Sequence, residues 1–310
     1  MRIIKEDVLI DNIKKIQKTN DIILVVKDNA YGFGICYMIH LAKQLNVNKF
    51  AVKSISEGIF VKSIYKDSSV LVLGKIKKED IEDVKKYDLI PTINDYDDYI
   101  LFKEQKLSSH LAIDTGMNRF GMKSGFLAII NDSIVKAVYT HLYDSETKNK
   151  IQFIEQLSKN YLKPFHIGGS VAYGKTKGTI RVGRMVYENA LYFYGQIVNI
   201  KEIDKKETVG YDGLYQATGK KRIGVCNVGY ADGLSLFYHG RVRIQDRFYS
   251  CVGKCCMDQC FILIDDQVDL WDEVEFFGKE INEDEFIKNN QMSKYEMFLR
   301  INRQNTGLYP

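Results

Sequence analysis

The chain has 310 residues, 45% hydrophobic and 27% charged, a composition that fits a globular protein with a full-sized core and excludes a disordered or fibrous one. Its net charge of +4, with acidic and basic residues interleaved, points to neither a nucleic-acid nor a membrane surface. No run has the apolar length of a membrane span, and the charged start MRIIKEDVLIDNIKK lacks a signal-peptide core, so a cytoplasmic location is expected.

The first informative element is VVKDNAYGFG, residues 25–34. ILVVK (23–27) reads as a buried strand, and a glycine-bearing turn then opens the amphipathic stretch CYMIHLAKQL. Lys27 therefore stands where a parallel strand ends and its loop begins, the place where α/β folds keep their chemistry. A lysine there can hold an aldehyde cofactor as a Schiff base, although a lone lysine in that place is ordinarily a surface residue capping a strand.

Further strands are predicted at FAVKS (50–54), SVLVLG (69–74), LIPTI (89–93), HLAID (110–114), IVKAVYTH (134–141), PFHIG (164–168) and TIRVG (179–183). Amphipathic stretches such as KKEDIEDVKKY and SGFLAIINDS separate several of them. Eight strands with mostly helical connections are the sequence form of a (β/α)8 barrel of the TIM type; strand count alone leaves a doubly wound open sheet open. From about residue 195 the runs KRIGVCNVGYA, GRVRIQDRFYS, QCFILIDD and EVEFFG are strand-like, and helical patterning returns only at EDEFIKNN. The expected division is an α/β barrel over residues 1–194 and a mainly β domain over 195–310.

Four of six cysteines crowd into CVGKCCMDQC (251–260). Their spacing is not the paired C-x2-C of structural zinc, and in an extended strand Cys255 and Cys256 would face opposite ways, so reduced structural thiols and no metal are expected. GSVAYGKT (169–176) fits the phosphate-loop pattern formally, but KGTIRVG after it continues as another strand where that loop requires a helix.

The segments HLAIDTGMNRFGM (110–122), THLYDSE (140–146), HIGGS (166–170), RVGRMVY (181–187), VGYADG (228–233) and VGKCCMDQ (252–259), together with VVKDNAYGFG, occur in the order in which one known family has them. In these motifs, over nearly its full length, the chain resembles alanine racemase, a pyridoxal 5′-phosphate enzyme with an N-terminal barrel and a C-terminal β domain. The resemblance implies that Lys27 holds the cofactor as an internal aldimine and, once displaced, is a base on one face of the substrate Cα. Tyr230 corresponds to the base on the other face; a phenol with a pKa near 10 needs nearby positive charge for that task. Arg181 matches the arginine on the pyridine nitrogen, which it cannot protonate. His141 matches the histidine beside the ring that hydrogen-bonds this arginine. Tyr31, Ser170, backbone amides near Gly183 and Arg184, and Tyr309 at the pocket entrance correspond to cofactor-holding positions. Arg119 matches the residue that engages the substrate carboxylate. Met257 and Asp258 match the segment lining the substrate pocket. In the family, Tyr230 and Met257 come from the second subunit of a head-to-tail homodimer, so the resemblance implies shared active sites.

Several positions depart from the pattern. Asp28 replaces a small residue after the lysine, Phe33 a common histidine, Gly169 the usual Asn and Val182 a Pro. Ala112 stands where many members have a carbamylated lysine that positions Arg119, and Gln304-Asn305-Thr306-Gly307 replaces an Arg-Val-Pro-Arg run. The function expected is interconversion of L- and D-alanine, supplying D-alanine for peptidoglycan. The alternatives are a racemase of serine or of broader range, a barrel-plus-β-domain decarboxylase of basic amino acids, and a non-racemising pyridoxal-phosphate-binding homeostasis protein. The last kind lacks the β domain and the VGYADG tyrosine.

Overall fold

The computed structural model describes residues 1–143 and 147–301. It divides into two compact units: Ile10–Ala30 with Gly34–Val186, and Met1–Leu9 with Tyr31–Phe33 and the residues from Tyr187 onward.

The chain opens on a short strand, β1 (Arg2–Ile4). Eight parallel strands then build a closed barrel in the first unit: β2 (Ile22–Val25), β3 (Lys49–Val52), β4 (Ser69–Val72), β5 (Ile90–Ile93), β6 (Ser109–Ala112), β7 (Val135–His141), β8 (Phe165–Gly168) and β9 (Thr179–Val182). Closure comes from β2 pairing β9, with Ile22 opposite Ile180 and Leu24 opposite Val182. The eight strands are those expected from the sequence, and closure settles the choice against an open sheet. β2 is buried along its whole length, as a barrel strand covered on both faces must be.

Helices Ile35–Gln44, Ile55–Ile64, Ile81–Lys86, Tyr96–Glu104 and Thr147–Tyr161 fall between these strands. The first buries Ile35, Met38, Ile39, Leu41 and Ala42, the 3–4 spacing of one helical face. The side chains of Ser54 and Asp95 cap their helices by accepting from Glu57 N and Asp98 N. SGFLAIINDS departs from expectation, forming only a 3-10 turn at Phe126–Ala128. Gly125 enters it with φ +75°, and Asp132 ends it by binding Ile134 N (3.1 Å), Lys103 Nζ (2.9 Å) and Tyr99 Oη (2.8 Å). Those bonds draw the chain into β7 before a helix can propagate.

The second unit is antiparallel. Its strands are β1, β10 (Leu191–Ile203), β11 (Thr208–Val209), β12 (Tyr215–Gln216), β13 (Lys221–Cys226), β14 (Arg241–Ile244), β15 (Arg247–Val252), β16 (Cys260–Ile264) and β17 (Glu273–Phe277). Seven lie in one sheet ordered β1-β10-β13-β16-β15-β14-β17, and β17 also pairs back onto β10. Helices Glu283–Asn290 and Lys294–Ile301 close the described chain. Phe193, Phe276, Phe277 and Phe286 form an aromatic core with ring centroids 4.8–5.9 Å apart. Cys226 and Cys260 face each other across β13 and β16, while Cys255 and Cys256 lie in the loop before β16 and not in a strand. No described helix is long and apolar enough to cross a membrane.

Candidate active site

Lys27, half-buried, is separated from the end of β2 by one residue and stands immediately before a backbone of unusual hand. Asp28 (φ 52°, ψ 51°), Asn29 (55°, 45°) and Ala30 (53°, 52°) are left-handed, and Tyr31 continues with φ 55°. This conformation costs an L-residue about 1–2 kcal/mol, so four in succession persist only where bonds over-determine them. Those bonds are present. Ala30 N donates to Val26 O (2.9 Å), Asp28 N to Glu57 Oε1 (2.7 Å), Gly34 N to Asn29 O (3.0 Å) and Ile35 N to Asn29 Oδ1 (2.7 Å). Val26 is itself pinned to β3 through Ala51 O (3.0 Å).

Across the barrel interior, five consecutive strands contribute a polar layer: Thr92, His110, Tyr139, His166 and Arg181. Arg181 Nη1 lies 2.6 Å from His166 Nδ1, and His166 Nε2 lies 2.9 Å from His110 Nδ1. Arginine only donates, so His166 Nδ1 accepts, Nε2 carries the ring proton, and His110 Nδ1 accepts in turn. Tyr139 stacks on His166 (centroids 4.8 Å apart), bonds Thr92 through its hydroxyl (3.1 Å) and lies 4.1 Å below the guanidinium. Arg181 Nη2 donates to Thr140 O (3.1 Å). The expected His141–Arg181 hydrogen bond is not formed; His166 is the imidazole partner, because it and Gly168 share the face of β8 over which Arg181 reaches. Gly168 leaves room for this, since a Cβ there would lie 2.3 Å from Arg181 Nη2 and 2.6 Å from His141 Nδ1. His110, Tyr139 and His166 escaped the sequence reading as site residues, although three of the five histidines falling on barrel strands was an available signal.

All three barrel histidines are neutral. Burial, then the charge of Arg181, pushes His110 down to about 4, and the same causes with Arg119 and Lys27 push His141 down to about 3. His166 is also held well below its ordinary value. Arg181 is lowered by burial to about 10 and stays charged, with no carboxylate partner among the described residues. Unfolded histidine titrates near 6.5, so below that pH the unfolded chain binds protons that the folded barrel refuses. Stability should therefore fall as pH drops from about 6.5 toward 4, by about 1.4 kcal/mol per pH unit for each histidine. Urea unfolding followed across that window checks this, and His110→Gln should lessen the slope.

The remaining barrel candidates gather at the same strand ends. Arg119 sits exposed in a loop whose backbone is tied to itself: Asp114 Oδ1 accepts from Gly116 N (2.9 Å) and Asn118 N (3.1 Å), and Met122 N donates to Ala112 O (2.9 Å). Thr115 Oγ1 bonds Thr140 Oγ1 (2.8 Å), anchoring the loop to β7. With Ala112 buried, the Arg119 side chain forms no hydrogen bond or ion pair among the described residues, and the loop alone sets its place. Ser170 opens a 3-10 turn after β8. Gly169 before it has φ +108°, and a Cβ there would meet Leu142 O at 2.6 Å, which accounts for glycine at this position. Gly183 is buried and Arg184 half-buried at the end of β9. Lys175 and Thr176 of the phosphate-loop pattern bond Thr147 Oγ1 and Glu155 Oε1 instead, and their segment opens no helix.

The second unit holds the other candidates. Tyr31 lies among Tyr187 (ring centroids 5.1 Å) and Tyr295 (5.9 Å), and Phe33 packs against Tyr187 (4.7 Å) and Phe298 (5.5 Å). Tyr230 is 42% exposed and Met257 55%, with Asp258 exposed beside it. Their loops are stitched backbone to backbone: Tyr230 N donates to Cys256 O (3.1 Å) and Ala231 N to Met257 O (3.0 Å). Gly229 permits this approach, since a Cβ would lie 2.2 Å from Met257 O. Asn290 Oδ1 accepts from Ser235 N (2.8 Å), and Ile301 packs on Gly233, so both closing helices brace the Tyr230 loop. Tyr309, residues 144–146 of THLYDSE and the Gln304–Gly307 departure lie outside the described residues.

Residues 4–188 match the family model for the N-terminal domain of alanine racemase, and residues 190–309 that for its C-terminal domain. The chain belongs to the alanine racemase family. The alanine racemase of Aquifex pyrophilus is 30% identical over 285 residues, covering 84% of this chain and 83% of that one. The structure of alanine racemase from Acinetobacter baumannii superposes with a TM-score of 0.87 at 19% identity, over 97% of this chain and 96% of that one. A histidine racemase from Leuconostoc mesenteroides subsp. sake shares the fold (TM-score 0.81, 18% identity, 96% and 95% coverage). Fold alone therefore does not select the substrate.

Proposed function

We infer that this chain interconverts L- and D-alanine with pyridoxal 5′-phosphate, as a cytoplasmic homodimer supplying D-alanine for the cell wall. The observation that carries the cofactor reading is the buried Arg181 guanidinium, backed by neutral His166 and lacking a carboxylate partner among the described residues. Its two bonds leave N–H donors for a neutral acceptor such as a pyridine nitrogen. Lys27, Arg119 and Arg181 each bear on His141, a concentration of positive charge suited to a phosphate and a carboxylate.

When bound, pyridoxal phosphate supplies an aldehyde that links covalently to an amine and a conjugated ring that takes up the electrons of a broken Cα–H bond. Ser170, the amides near Gly183 and Arg184, and Tyr31 hold the phosphate. Arg181 holds the pyridine nitrogen without giving it a proton. Arg119 holds the substrate carboxylate. The Lys27 amine removes or returns the Cα proton on one face, and the Tyr230 hydroxyl of a second copy does so on the other. One base takes a proton while the other delivers one, and the configuration inverts. Met257 and Asp258 of that second copy line the pocket. The exposure of Tyr230 and Met257 on their own unit supports this sharing.

Purified protein should be yellow, and L-alanine incubated with it in heavy water should gain deuterium at Cα and yield the D-enantiomer. A coloured protein that exchanges no Cα proton with any amino acid would point to cofactor homeostasis instead. Faster exchange with serine or histidine than with alanine would reassign the substrate.

A further inference from the structure

Beside Lys27 lies a cluster of charges to which no role has been assigned. The Asp28 carboxylate contacts the ammonium of Lys53, which follows β3, the neighbouring strand of the barrel. Glu57 completes the group. Its Oε1 accepts from Asp28 N (2.7 Å), its Oε2 accepts from Lys53 N (2.8 Å), and Lys53 Nζ lies 3.9 Å from Oε1. One carboxylate thus joins the backbone after β2 to the backbone after β3, and the Asp28–Lys53 pair joins the same segments through side chains. Glu57 is itself fixed, since it stands in the first turn of helix Ile55–Ile64 and its amide donates to the capping Ser54 Oγ (3.3 Å).

We propose that the Asp28–Lys53 pair, seated on Glu57, is a clamp that holds the left-handed turn 28–31 and so fixes the backbone from which Lys27 works. Asp28 and Lys53 are positioning residues. The role of Lys27 rests on the function inferred above, whereas the clamp is a property of the chain itself. The physical need is plain: Asp28 is the first residue of a strained turn, and any relaxation of its φ and ψ swings Lys27. Asparagine tolerates left-handed backbone as well as aspartate does, so Asp28→Asn removes the charge and leaves the conformational preference. The hydrogen bond to Asp28 raises the Lys53 pKa, so the ammonium stays charged through the neutral range.

The test is amide hydrogen exchange on full-length protein, with and without added pyridoxal phosphate, for Asp28→Asn, Lys53→Met and the double variant. Exchange at the amides of Asp28, Ala30 and Gly34 should quicken about three- to fivefold in each single variant, as expected for loss of one partly exposed ion pair. The double variant should be no faster than either single one, because both remove the same interaction. High salt should quicken exchange at these amides in the unmodified protein and leave Asp28→Asn unmoved. Amides of β5–β8 should keep their protection throughout, which separates a local clamp from general destabilisation. Exchange within about 1.5-fold of the unmodified protein in both single variants would overturn the proposal, as would effects that add in the double variant. Should a variant fail to fold, the salt dependence of the unmodified protein decides alone. Should the protein take up no cofactor, the functional reading falls while the exchange result still judges the clamp.

Discussion

Mixing two inactive variants of this chain should regenerate activity. On the role proposed for Lys27, Lys27→Ala removes the amine that would hold the cofactor and move one of the two protons, so its kcat/KM should fall by at least about 10⁴-fold, together with the yellow colour. On the role proposed for Tyr230, Tyr230→Phe should keep the colour and lose about 10²–10⁴-fold, because only the opposite proton transfer would be removed. If Tyr230 serves the partner's site, a mixed dimer of the two variants has one dead site and one site with both bases intact. Random reassortment makes half the dimers mixed, with half their sites whole, so about a quarter of full activity should return after denaturation and joint refolding. Recovery at the level of either parent variant would place both bases in one chain and overturn the shared-site reading.

Gly168→Ala carries the second large effect. The added Cβ would stand 2.3 Å from Arg181 Nη2, 2.9 Å from Arg181 Cζ and 2.6 Å from His141 Nδ1. The guanidinium cannot swing away cheaply. It is 4% exposed, bonded to His166 and Thr140 O, and stacked on Tyr139. Overpacking of this kind costs about 1–3 kcal/mol, and displacement of Arg181 should also weaken retention of the cofactor. Gly174→Ala is the control: it strains a left-handed φ of +72°, which Gly168 in its strand does not have, but leaves nothing within 4 Å of the new Cβ, so it should lose stability without losing colour. Urea unfolding and the rate of cofactor release separate the two outcomes.

The barrel strands were legible because each is a run of β-branched and apolar residues bounded by turns, and buried parallel strands have no other way to read. SGFLAIINDS failed because periodicity cannot foresee that Asp132 is claimed by Lys103, Tyr99 and Ile134 N. Lys27 and Tyr230 stand out as candidates in the sequence through motifs shared with the family, the strand-end position of Lys27 alone being ordinary. The polar layer of the barrel was not. His110, Tyr139 and His166 acquire their roles only when closure brings β6, β7 and β8 round to β9, and nothing in the local sequence announces which imidazole Arg181 meets. Asp28 was equally opaque, since its partner lies 25 residues away, just past the next strand.

The stitched loops at Gly229 and Met257 bear on how such a site can change over time. Tyr230 and Met257 hang from mutually bonded backbones, so on the roles inferred here the group that delivers a proton and a group that lines the substrate pocket form a single mechanical part. A substitution that enlarges the pocket by moving the Met257 loop also shifts the hydroxyl of Tyr230. On those roles, a change toward a bulkier amino acid made through the Met257 loop alone is expected to lower turnover, and a matching change in the Tyr230 loop to restore it. Substrate preference and proton delivery are, on those roles, coupled through the backbone bonds the two loops share.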